Sequence, residues 1–198
     1  GQGRDLVSVM LYGLRISLLV GLASTAVAMA LGVALGLLAG YSGGRLDALI
    51  MRAADVQLSF PAILVALLIF GVFKGVVPPA LQDKIAVYVL VVAIGLSDWV
   101  QYARTVRSST LAEKNKEYVQ AARVIGVPAP MILLRHILAN AMAPLMVRMT
   151  YVFAVAILNE AVLSFIGVGP PPPAPTFGAI IANGRDFIVA APWITVAP

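Results

Sequence analysis

The chain has 198 residues, of which 61% are hydrophobic and only 12% charged, about half the charged share of a soluble domain. No soluble fold hides that much apolar surface, so the composition predicts a membrane protein. Cysteine is absent and His136 is the single histidine, which excludes disulfides, thiolate metal sites and a histidine-built zinc site, and the net charge of +5 sits in loops beside apolar runs, where it predicts membrane orientation and not nucleic-acid binding.

The chain opens Gly1-Gln-Gly-Arg-Asp5 without an initiator methionine and closes where an apolar segment has barely begun, so it is expected to be a fragment at both ends. From Ile16 to Gly44 no residue is charged. A helix needs about twenty residues to cross the hydrocarbon, so Ile16–Gly40 is predicted as the first span. Gly32, Gly36 and Gly40 share one face of that helix. Either they let a second helix approach closely, or they reflect how common glycine is in membrane helices.

After a turn at Tyr41–Gly44 and a short charged connection, Val56–Phe73 is predicted as the second span. Pro61 near its start either kinks the helix or is merely tolerated there. A loop over Lys74–Lys84 leads into a third span, Ile85–Ala103, with Asp98 and Trp99 near its far end. Asp98 is expected to pair with Arg104 or Arg107, and Trp99 and Trp193 to act as interfacial anchors.

Residues 104–148 form a long polar stretch. Within it Leu111–Ile125 reads as a helix, Gly126–Pro130 breaks it, and Met131–Asn140 begins another. A fourth span is predicted from about Ala143 to Ile166, with Glu160 inside it. Gly167–Ala191 is expected to be a loop in which Pro170–Pro173 adopt polyproline geometry, and a fifth span would start near Trp193. Every element that crosses the membrane is therefore predicted as a helix, an all-α membrane protein with about four full spans and the start of a fifth. Nine cations (Arg45, Arg52, Arg104, Arg107, Lys114, Lys116, Arg123, Arg135 and Arg148) fall on one side of these spans. Five (Arg4, Arg15, Lys74, Lys84 and Arg185) fall on the other. The richer side is predicted to be cytoplasmic.

The segment 104–140 is the most informative one. Two short helices around a glycine hinge would make a compact knob, with Gln120, Ala121 and Ala122 letting a partner's surface approach and with cations around them. The plainer alternative is a solvated amphipathic loop.

Here a family resemblance enters. Gln120-Ala-Ala-Arg-Val-Ile-Gly126, followed by Arg135-His-Ile-Leu-Ala-Asn140, resembles the "EAA" loop of inner-membrane subunits of binding-protein-dependent ABC importers. Gly3–Leu6, Leu11–Leu18, Gly40–Gly44 with Asp47, Ser59-Phe-Pro61, Trp99 with Tyr102–Arg104 and Val106-Arg107, Glu160–Gly169 and Ala191-Pro-Trp193 narrow it to the dipeptide/oligopeptide/nickel branch. Three positions depart from the pattern: Gln120 replaces a glutamate, Ala139 a proline, and Phe177-Gly178 a tryptophan-glycine pair.

The resemblance implies a single type I ABC importer transmembrane domain over 1–198, lacking its first helix and most of its last. It implies a non-catalytic permease for di- or oligopeptides in the bacterial inner membrane. The implied partners are a second homologous permease, two cytoplasmic ATPases that bind ATP and Mg, an extracytoplasmic solute-binding protein and the lipid bilayer. Gln120, Ala121, Ala122, Arg123, Gly126 and Arg135 would form the ATPase-coupling surface. A carboxylate exposed to hydrocarbon costs on the order of 3 kcal/mol, so Glu160, beside Asn159, must face protein or water. It either lines the translocation path or a permease interface, or it is a structural pair.

Two other classes would require different residues. A secondary transporter or channel would place convergent polar groups at mid-membrane, and Glu160 is the one clear candidate, with no inverted repeat visible. A membrane enzyme would need a nucleophile with its base, paired carboxylates or metal ligands, and none is apparent. No Gly-Lys-Ser/Thr phosphate loop occurs, so ATP hydrolysis by that route is not expected of this chain.

Overall fold

The computed structural model describes residues 5–170 and 174–198, and among these there is no β-strand. The chain runs through α1 (Leu6–Ser42), α2 (Gly44–Leu58), α3 (Ala62–Val76), α4 (Pro79–Glu113) and α5 (Glu117–Val124). A short α6 (Ala129–Met131), a π-helical stretch (Ile132–Ile137) and α7 (Leu138–Phe165) follow without interruption. α8 (Phe177–Gly184), a 3-10 turn (Arg185–Phe187) and α9 (Trp193–Val196) complete it. Three rods, α1, α4 and the continuous Ala129–Phe165, are long and apolar enough to cross a membrane, and α2 with α3 makes a bent fourth candidate.

The first rod begins where Asp5 caps it, its carboxylate accepting from the Val7 and Ser8 amides. Its glycine face meets α4. A Cβ on Gly32 would lie 2.5 Å from Tyr102 Cβ, on Gly36 2.6 Å from the Ala103 carbonyl oxygen, and on Gly40 2.6 Å from Thr110 Cβ. Of the two readings of these glycines, close packing is the one observed. Residue numbers rise together in these pairs, so α1 and α4 run parallel.

Parallel neighbours require a returning segment, supplied by α2 and α3. The expected continuous span over Val56–Phe73 is corrected: α2 stops at Leu58 and α3 leaves at 96° to it. Pro61 is the reason. It lacks an N–H and disfavours helical geometry at Phe60, so it ends one helix and caps the next, with ψ of 133°.

Polar contacts fix α2 against α4. Arg107 grips Asp47 through two bonds of 2.5 and 2.6 Å, and Arg104 pairs with Asp55. The Gln57 amide donates to the Leu96 and Ser97 carbonyls at 2.8 and 2.9 Å, and its oxygen accepts from Trp99 Nε1 at 2.8 Å. Two expectations therefore fail. Asp98 does not pair with Arg104 or Arg107, because both guanidiniums are committed to α2, and its Oδ2 is buried without a partner among the described residues. Nor is Trp99 an interfacial anchor: it is buried, its indole N–H used inside the fold. Trp193 is exposed.

Helix boundaries differ elsewhere too. The polar stretch at 104–148 is mostly helical continuation of the spans. α4 persists to Glu113, and the predicted Leu111–Ile125 helix is split at Lys114–Lys116. Gly167–Ala191 is not all loop, since α8 folds back onto α7, where a Cβ on Gly178 would meet Ser164 Cβ at 2.7 Å. Pro171–Pro173, and the polyproline geometry expected for them, lie outside the described residues.

The glycine face generates a test. Gly→Ala normally stabilises an exposed helix by about 1 kcal/mol. Gly71→Ala, with no atom near its new methyl, is expected to hold or raise the melting temperature in detergent. Gly36→Ala must displace the α4 backbone and is expected to lower stability by about 1–3 kcal/mol. Size-exclusion chromatography after heating distinguishes the two.

Candidate functional site

Two sites predicted from sequence can now be built from their parts. The first is the knob at the cation-rich end. α5 is only eight residues long, too short to be stable alone, and is held by tertiary contacts. Val119 and Ala122 are buried with Tyr102, Val106, Ile132 and Ile137. The Glu113 carboxylate accepts from Lys116 Nζ at 2.7 Å and from the Tyr118 hydroxyl at 2.5 Å, and Asn140 donates to that hydroxyl at 2.8 Å. One carboxylate thus links the end of α4, the start of α5 and the root of α7. Its bond with Glu113 raises the pKa of the Lys116 ammonium, and burial, then the Glu113 bond, raises that of the Tyr118 phenol.

The knob ends in a Schellman turn. The Val127 amide donates to the Ala122 carbonyl and the Gly126 amide to Arg123, both at 3.0 Å, with Gly126 at φ +83°. That backbone conformation is one a side chain strains, and it re-aims the chain into α6.

The structure divides the predicted coupling residues. Gln120, Ala121, Arg123, Gly126 and Arg135 are exposed. Gln120 donates to the Asn115 carbonyl, and the Arg123 guanidinium lies 5.3 Å from the Tyr41 ring centroid. Ala122 is the exception. It is 6% exposed and faces the bundle, so it seats α5 and presents no surface. Sequence reasoning missed Val124 and Ile125, which are 86% and 78% exposed beside Ala121. Their signal was available: two large apolar residues immediately before a glycine break in a polar segment.

The second site is Glu160. It is fully buried, and Oε2 accepts from Ser17 on α1 at 2.7 Å while Oε1 accepts from Ser164, one turn on, at 2.6 Å. No cation pairs with it among the described residues. Two hydroxyl donors therefore replace the water it loses. In this arrangement hydroxyls on α1 and α7 hold the carboxylate. A path-lining role would require the α1–α7 contact to open. Asn159 beside it is half-buried.

Glu160→Leu leaves two buried hydroxyls without their acceptor, at about 1–3 kcal/mol each, whereas Glu160→Gln keeps an acceptor for one of them. The leucine variant is expected to lose most folded protein and the glutamine variant little, measured as monodisperse yield and melting temperature in detergent. Equal behaviour of the two would show that the hydroxyl contacts do not hold α1 to α7.

The same chain was compared with known proteins. Residues 32–198 match the family described as "Binding-protein-dependent transport system inner membrane component". The chain is similar to the di/tripeptide transport system permease protein DppC of Pseudomonas aeruginosa, with 38% identity over 99% of this chain and 61% of the relative. It is 41% identical to a putative peptide transport system permease protein of Brucella suis, over 99% of this chain and 62% of the relative. To the oligopeptide transport system permease protein OppC of Haemophilus influenzae it is 36% identical, over 100% of this chain and 60% of the relative. It spans about three-fifths of the length of these relatives. The chain belongs to the family of binding-protein-dependent transport inner-membrane components, and its helical architecture is that of the type I ABC importer membrane domain.

Proposed function

We propose that this member of the family is a permease subunit for import of di- or oligopeptides across the bacterial cytoplasmic membrane. In this reading it pairs with a second homologous permease and receives solute from an extracytoplasmic binding protein. Two cytoplasmic ATPases bind the ATP and Mg, and the knob of this chain seats in one of them. The printed names of the relatives support the peptide substrate.

The exposed tip of α5 carries the reading. Val124 and Ile125 stand almost bare beside Ala121 on a helix whose other face is locked into the bundle. Apolar side chains so exposed at a polar end mark an interaction surface. A short rigid helix seated on α4 and α7 suits the transfer of a partner's movement to those rods. Arg123 and Arg135 nearby favour an acidic rim on the partner.

Ala121→Trp and Val124→Asp alter that tip without touching the buried face. Both are expected to leave insertion and folding intact and to lower ATPase co-purification and peptide-stimulated ATP turnover at least tenfold. Ala122→Trp is expected instead to lower the folded yield. Full ATPase coupling in both tip variants would remove α5 from this role.

Orientation is tested separately. Ser108→Cys lies on the cation-rich side and Ala174→Cys on the other. With the rich side cytoplasmic, an impermeant thiol reagent added to intact cells labels only the second, and labelling of the first alone would invert the topology.

A further inference from the structure

At the end opposite the knob, the antiparallel α3 and α4, the end of α7 and α8 surround a cleft of about 380 Å³. Its walls have a polarity order. Phe70 on α3 and Ala86 and Val89 on α4 form the more covered part, Phe165 at the end of α7 is partly exposed, and Lys74 and Asp83, each farther along its helix toward the turn, stand at the mouth. Both charged side chains are exposed, and neither forms an ion pair among the described residues. The Gln82 amide pins this mouth in place by donating to the Lys74 and Val77 carbonyls, both at 3.0 Å.

α3 ends at Val76, so the mouth lies where its apolar run stops and the deep part lies within the spanning layer. Apolar below and doubly charged at the boundary is the order of an amphiphile standing in a leaflet. A lysine ammonium suits a phosphate, and a carboxylate suits an ammonium. We infer that this cleft holds a zwitterionic phospholipid, its phosphate on Lys74, its ammonium on Asp83 and part of an acyl chain among Phe70, Ala86 and Val89.

A short peptide is zwitterionic too, but its backbone needs neutral polar partners along its length. The Ser164 hydroxyl is committed to Glu160 and the Gln82 amide to carbonyls, which leaves Asn183 as the one uncommitted side-chain amide among the described wall residues. The lipid therefore fits better. The assignment stands apart from the transport reading, because lipid retention is measured without ATP or solute.

The purified complex is stripped of lipid in detergent and reloaded with phosphatidylethanolamine or phosphatidylglycerol, and retained lipid is counted by native mass spectrometry. Retention of phosphatidylethanolamine, one molecule per copy of this chain, is expected under washing that removes phosphatidylglycerol, which has no ammonium. Lys74→Gln combined with Asp83→Asn changes exposed side chains only. It is expected to keep the folded yield, lower that retention at least tenfold and abolish the headgroup preference. Equal retention of both lipids, or indifference to the double variant, overturns the proposal. Displacement of the lipid by millimolar Ala-Phe dipeptide also overturns it, assigning the cleft to peptide.

Discussion

The rest of the fold depends on the backbone contact between α1 and α4. In lipid, apolar side chains gain nothing by leaving one apolar surface for another, so helices associate through close packing and internal hydrogen bonds. Gly32, Gly36 and Gly40 remove the side chains that would hold the two rods apart. Once the rods lie parallel, the intervening chain must return across the same thickness. That requirement accounts for the sharply bent α2–α3 segment, and the α7 rod then runs antiparallel to both, reaching α1 at Ser17.

Around this pair the polar groups are mostly satisfied within the protein. Asp47 and Asp55 take the α4 arginines, Gln57 takes two carbonyls and an indole, and Glu160 takes two hydroxyls. Such satisfaction is needed where water is scarce, since an unpaired buried group costs several kcal/mol. Ser24 Oγ, Thr25 Oγ1, Asp98 Oδ2 and the Tyr102 hydroxyl, on α1 and α4, are buried without a hydrogen-bond partner among the described residues.

Much of this was legible in the residues. Hydropathy located the rods because lipid tolerates few charges, and the spacing of Gly32, Gly36 and Gly40 put them on one helical face, which the approach of α4 then shows to be packed. The break at Gly126 was legible because glycine alone enters positive φ without strain. Local signals carry no information about which carboxylate an arginine reaches 50 or 60 residues away. Asp98, close to both arginines in sequence, therefore drew the expectation that Asp55 and Asp47 fulfil. Trp99 reads as an anchor from its neighbours, and only the approach of Gln57, from a separate helix, takes it inside. The same limit hid the inward turn of Ala122, since an eight-residue helix has too few turns to show which side is covered.

The uninterrupted rod from Ala129 to Phe165 has a mechanical consequence. Its 37 residues make a lever of about 55 Å with no hinge of coil along it, though Pro144 and the π-helical stretch offer places to flex. Its foot carries the knob, and its head carries Glu160 and the seat of α8. A tilt of only about 10° about its middle would sweep each end by about 5 Å in opposite directions. A push at one surface would then arrive at the other as a displacement nearly the size of a helical turn, with no relay of side-chain switches between them.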